Sequence, residues 1–385
     1  MSNNLHFVPL WDKVIRRYAR FEDLPSHGAM DDRLYSGKIQ VTLTAMSPLL
    51  VGGEGRPVIN GRPTVTFSRD ARNQFRIPGS TLRGLIRQNM QILGLGAVRV
   101  GGNEDIPGCR KDKDQGNGKG RRYDRDRGYG RDRKNGKEQE FDKNWVYGNR
   151  DPADGLPPAH RQVVMDYPRS IMGCVFQEPD ETKKDKDGNP RMNTRCYRSR
   201  ISVGDLNPVK KPLELNAQNI EQRLPRQGDP DFVVEEDNGF RLSGVRQYPP
   251  RDLAPEPRSS RQRIQPLDAG AKFTGVIRYR NLHADELGLL LWCLRLEEGC
   301  LHTIGMGKAK GYGLVRLKIT RLVEYDNRVL YGSLTGTGTQ VVNMEARVEE
   351  LIRSYRNYAA QPHVAGQDPA QMAHIRTFLA LRREK

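Results

Sequence analysis

The sequence predicts an α+β fold: a ferredoxin-like core interrupted by long insertions, with a protruding arm and a helical tail. Three observations carry that prediction. Apolar alternation with period two marks strands at Ile39, Val41 and Leu43, again at Phe273 to Ile277, and again after Gly313. Apolar recurrence with period 3.6 marks helices after Pro78-Gly79 and after His283. The ordered pieces run β, β, α, long excursions, β, α, β. With the excursions removed, this is the split β-α-β-β-α-β plan.

The first strand begins the stretch 38–51, half buried by its alternation. Residues 63–77 read as a second strand with a turn at "SRDARNQ". Pro78-Gly79 breaks it, and Ser80 or Thr81 can cap the helix that follows. Leu82, Leu85, Ile86, Met90 and Leu93 recur at helical spacing, with Arg83 and Arg87 one turn apart on one face. Character changes after residue 97. Between Arg110 and Lys137 lie twelve Lys/Arg, five Asp and six Gly with almost no aliphatic side chain. Such a segment cannot bury enough apolar surface to offset its ordering entropy, so 98–162 reads as a flexible charged insertion. Its interleaved arginine and tyrosine suit transient RNA contact, and a solvated spacer fits equally well.

Order returns at "MDYPRSIMGCVF". A second polar insertion, "QEPDETKKDKDGNPRMN", precedes a strand in "TRCYRSRISVGDL". Residues 206–262 are rich in Pro, Arg, Asp and Asn and read as a protruding hairpin or arm. A strand in "LDAGAKFTGVIRYRNL" and an apolar helix in "HADELGLLLWCLRLEEG" follow. The tail shows helical patterns over about 344–358 and 369–384. The expected layout is therefore an N-terminal extension (1–37), a core (38–97 and 163–323, the arm at about 206–262), the 98–162 insertion, and a C-terminal helical extension (324–385).

Charge narrows the partners. The 385 residues carry a formal charge of +17. That excess suits a polyanion, nucleic acid first, over a small metabolite. Five cysteines show no C-x-x-C pair, which argues for a reducing compartment. No apolar run approaches a membrane span and no signal segment is visible, so a cytoplasmic location without membrane contact is expected.

Two places look built for anions. In "TIGMGKAKGYG", Gly305, Gly307, Gly311 and Gly313 surround Lys308 and Lys310 and lead straight into a strand. Glycines permit positive φ and close backbone approach, successive amides can form an anion nest, and lysines add point charges. Tyr312 can stack on a base or pack inward. The spacing matches neither a Walker A loop nor a dinucleotide fingerprint. A tight β-bulge with incidental lysines is the plain alternative. The second place is the helix start at Pro78 to Thr81, where the first amides and the dipole favour phosphate and Arg83 and Arg87 extend the field. An ordinary cap with two solvated arginines is its plain alternative.

"IPGSTLRGLIR" (77–87), "SRISVGDL" (199–206), "AGAKFTGVIRY" and "GMGKAKGYG" (305–313) occur in the order found in RAMP proteins of type III CRISPR effector complexes. "FVPL", "LYSGKIQVTLTAMSPLLVGG", "RQNMQILGLG" and "HTIGMGK" resemble a type III-D-like backbone subgroup. The resemblance covers roughly 38–97, 163–206 and 264–323. It implies an RNA-recognition-motif-like core that grips guide RNA and a thumb hairpin within 206–262 that flips nucleotides out of the guide. It implies partners in complementary target RNA, other RAMP subunits and large-subunit proteins, in antiviral defence. By motif match, Gly305, Gly307, Lys308, Lys310, Gly311 and Gly313 contact RNA, Ser80, Arg83 and Arg87 serve at the helix start, and Arg200 is the arginine of the "SR" motif.

The family pattern also allows an aspartate after the first strand to cut target RNA with a divalent metal such as Mg2+. Between Met46 and Arg76 the only acids are Glu54 and Asp70. Asp70 lies later than that pattern places it, in a predicted turn where aspartate is common for local reasons. Asp32 precedes the first strand and is weaker. Three readings follow: a guide-binding structural subunit, a metal-dependent endoribonuclease subunit of the same complex, and a general RNA-binding protein.

Overall fold

The chain is described by a computed structural model at residues 6–384, apart from 12, 20, 98–164, 185–189, 222–232, 237–238, 243, 259, 261, 333–338 and 342–343. The charged insertion of 98–162 therefore lies outside the described residues.

Six elements form the centre: β1 (Tyr35–Ala45), α1 (Gly79–Leu93), β2 (Ile201–Val203), β3 (Lys272–Leu282), α2 (Ala284–Arg295) and β4 (Leu314–Tyr325). The strands hydrogen-bond in the order β4-β1-β3-β2, every pair antiparallel. Strict alternation sets the register. Ile39, Val41 and Leu43 of β1 are fully buried opposite Leu322, Ile319 and Leu317 of β4. One residue of slip would turn that set to solvent, so burial of one face fixes the pairing. Leu82, Ile86 and Met90 of α1 and Leu287, Leu290 and Leu291 of α2 complete the core on that face.

Two features enlarge this core beyond what periodicity indicated. α3 (Met344–Ala359) and α4 (Ala373–Ala380) bury Leu351, Ile352, Tyr355, Ile375 and Phe378 in the same cluster. α3 lies so close to α2 that a Cβ on Gly288 would sit 1.9 Å from the Leu351 carbonyl oxygen. Tyr355 donates to the Leu93 carbonyl at 2.5 Å. At the other end, Trp11 and Ile15 are buried in that cluster too.

The polar insertion after Phe176 has strand structure that its composition did not indicate. It forms most of a two-stranded antiparallel ribbon, Cys174–Lys184 with Pro190–Tyr197. At its base Cys174 and Tyr197 pack with Met165, Phe21 and Leu24. Its sequence carries no regular apolar alternation, the signal from which strands are read, so periodicity does not reveal it. The strand expected over 63–77 is likewise reduced to Val65–Thr66, paired in parallel with Ile264–Gln265. Within 206–262, Val233–Glu236 and Gly239–Leu242 form a hairpin. No described helix is long and apolar enough to cross a membrane.

Candidate nucleic-acid interface

Three devices leave the same end of the sheet. β1 ends at Ala45, which pairs with Val315 just after the glycine loop. The chain leaving Ala45 runs to the start of α1. Asn207–Pro208 pairs with the beginning of β3, so the arm departs and returns there as well.

All four glycines of the loop adopt the left-handed region, with φ of 79°, 75°, 87° and 73° at Gly305, Gly307, Gly311 and Gly313. A Cβ at Gly305 would meet the Leu50 carbonyl oxygen at 2.1 Å, and one at Gly313 the Ile304 carbonyl oxygen at 2.0 Å. The glycine spacing therefore serves a tightly folded turn. Several of its amides are spent internally: Met306 donates to Leu50, Gly313 to Pro48, and Lys310 and Tyr312 to Gly307. The arm packs on this loop, since the Ala254 amide donates to the Lys310 carbonyl and Arg251 reaches that of Ala309. Tyr312 is buried in the same core cluster as Ile220 and bonded to Gln218, so it packs inward and is not a stacking platform in this arrangement.

Lys308 and Lys310 remain at the loop's surface, each partly exposed. Burial lowers the pKa of Lys308, and the positive fields of Arg382 and Arg246 add to the effect. Arg382 was not visible as a site residue in the sequence. It is 2% exposed, donates to Thr303 Oγ1 at 2.6 Å and to Gln247 Oε1, and leaves its Nε without a partner. Burial lowers its pKa to about 10, and no described carboxylate contributes to its field. Behind the glycine loop the protein thus concentrates positive charge.

The helix start is more committed than its motif suggests. The Gly79 amide donates to Asp205 Oδ1 at 2.8 Å, and Arg76 pairs with the same carboxylate at 2.7 Å. The chain's own carboxylate already occupies the anion position. Arg83 turns inward, donating to the Met172 carbonyl at 2.5 Å and to Ser199 Oγ at 3.1 Å. Ser80 and Arg87 are exposed.

Arg200 is not at the surface. It is 3% exposed and forms a two-pronged ion pair with fully buried Glu286, while its Nε donates to the Ser170 carbonyl at 2.9 Å. Glu286 raises its pKa further above the ordinary arginine value. A guanidinium so enclosed cannot touch a phosphate without opening the core.

Neither acid expected as a catalytic candidate gathers metal ligands. Asp70 closes a turn, its Oδ1 accepting the amides of Arg72 and Gln74 at 2.9 and 2.8 Å. Asp32 pairs with Arg328 at 3.1 Å on the rim of a cleft of 820 Å³ that Asp31, Asn281 and His283 also line. Among the described residues no group of three or more His, Cys, Asp or Glu could hold a metal ion. These residues do not fit a divalent-metal site.

Against known proteins, a family model described as the RAMP superfamily matches residues 42–316. That span runs from the last residues of β1 to the start of β4 and includes the glycine loop. The chain belongs to the RAMP superfamily. No curated protein matches the chain. RAMP membership makes this a CRISPR-associated RNA-binding module. In this RAMP protein Ser80 and Arg87 of α1 are exposed, and Lys308 and Lys310 of the glycine loop are partly exposed.

Proposed function

We propose that this protein is a guide-RNA-binding backbone subunit of a type III CRISPR ribonucleoprotein that recognises complementary target RNA. The observation that carries the reading is the RAMP match spanning the glycine loop, with Lys308 and Lys310 at its surface and a carboxylate-free positive field behind them. The strand order β4-β1-β3-β2 with both crossover helices on one face supports a ferredoxin-like, RNA-recognition-motif-like core. In this reading the loop lysines hold guide phosphates as point charges. The hairpin of Val233–Leu242 belongs to the thumb, and other RAMP and large-subunit proteins flank the chain in the cytoplasm.

The protein, tagged and purified gently from the organism that encodes it, should carry RNAs of uniform length with a repeat-derived 5′ piece and variable spacers. Heterogeneous RNA, or none, contradicts the reading. The Lys308→Ala/Lys310→Ala variant should bind every RNA sequence more weakly by a similar factor, because phosphate contacts carry no sequence information.

A further inference from the structure

The sheet has a second face, turned away from the helices. Register assigns its occupants. Arg316 of β4 lies beside Thr44 of β1, which lies beside Lys272 of β3. Lys318 lies beside Thr42, and Arg321 beside Gln40. Lys38 lies directly opposite Arg278, whose other neighbour is Ser202. The outward positions of three adjacent strands therefore hold six cations, Lys38, Lys272, Arg278, Arg316, Lys318 and Arg321, and these rows contain no Asp or Glu.

A bulge builds part of this surface. Between Ile319 and Arg321 the register with β1 shifts by one residue, leaving Thr320 unpaired. Ile319 faces the core opposite Val41. Strict alternation would send Arg321 the same way; the bulge re-aims it outward, opposite Gln40. Lys38 against Arg278 is a like-charge cross-strand pair, which costs stability unless an anion lies between or above.

These cations are accessible. Lys272, Arg278, Arg316, Lys318 and Arg321 are all exposed. Two have local partners: Arg316 reaches Glu384 at 2.6 Å at a half-exposed site, and Lys38 lies 5.9 Å over the Tyr325 ring. The composition of the face selects the partner. A protein interface needs an apolar centre, and in the rows of Thr44, Thr42 and Gln40 only Val276 is apolar, while Val323 beside Lys38 is buried. No aromatic ring stands in the rows beside Thr44, Thr42 and Gln40, so bases have nothing to stack on there. What suits the face is a repeated negative charge with hydrogen-bond acceptors. Outward residues along one strand recur every ~6.7 Å, a regular ladder of charge. β4 begins at Leu314, so Arg316 is the first rung beyond the glycine loop.

We propose that the outer face of the sheet is a second nucleic-acid track, which holds a phosphodiester backbone continuing from the glycine loop across β4 and β1. It extends the function proposed above and rests on it for the choice of RNA as the polyanion.

The test uses the full chain, labelled oligouridylate and oligoadenylate, and a salt titration. Two cations are removed on the face, Lys318→Gln/Arg321→Gln, and two exposed ones off it, Arg353→Gln/Arg376→Gln. Both pairs change net charge equally. The face variant should lose affinity several-fold on both RNAs, and its log–log salt slope should shrink by about 1.4, from about 0.7 per phosphate contact on a single strand. The tail variant should keep the wild-type slope, and both should keep the wild-type melting temperature. Wild-type affinity and slope in the face variant would overturn the track while RNA co-purifying with the wild type leaves the proposed function standing. Equal losses in both variants, or a loss on one RNA only, would also overturn it. If the wild type binds neither oligomer and carries no RNA, the function reading falls first and the track with it.

Discussion

Arg200 shows how a motif residue can be real and still not reach a ligand. Its guanidinium lies between β2 and the first turn of α2, where Glu286 neutralises it and the carbonyls of Ser170 and Asn281 accept its remaining protons. Arg17 and Tyr167 treat Asp285 in the same way, at 2.7 and 2.6 Å. The acids that the sequence places in the first turn of α2 thus fasten the N-terminal segment and β2 to the helix. Removing one partner strands a buried charge. Arg200→Met and Glu286→Gln should each destabilise the protein by roughly 3–5 kcal/mol in urea unfolding, and the double variant by less than the sum. Additive losses would mean that the pair is not coupled.

At the scale of elements, the glycine loop and the sheet edge are one structure. Gly305 and Gly313 sit where a side chain would collide with the backbone of Leu50 and Ile304, and their left-handed dihedrals add strain for any L residue. Gly313→Ala should cost at least roughly 1–3 kcal/mol. Because the loop is also the proposed phosphate grip, RNA affinity should fall even at temperatures where the variant stays folded. A variant with wild-type stability would show that the turn relaxes freely. The glycine pattern was legible in the sequence as a turn. Which amides that turn leaves unspent was not, because their acceptors at Pro48 and Leu50 come from more than 250 residues away in the chain.

For the whole molecule, the tail is part of the core. Sequence periodicity identified two C-terminal helices and assigned them no partner. Tyr355, Phe378 and Leu351 instead pack on α1 and α2, opposite the sheet. A chain ending before Met344 should expose Gly288, Leu291 and Trp292 and lose cooperative unfolding, followed by circular dichroism on heating. A sharp, unshifted transition would show that the six central elements suffice.

The sequence by itself determined the central strands β1, β3 and β4, the helices α1 and α2, the positive charge, the glycine turn and the family resemblance, because periodicity, composition and local φ requirements are written in neighbouring residues. It did not determine which cations are free. Arg83, Arg87, Arg200, Lys308 and Arg321 look alike as letters. Only the tertiary structure buries Arg200 on Glu286, turns Arg83 to the Met172 carbonyl, and re-aims Arg321 outward through a bulge at Thr320. The physical reason is that a charge is worth what surrounds it, and for these residues the surroundings come from distant parts of the chain.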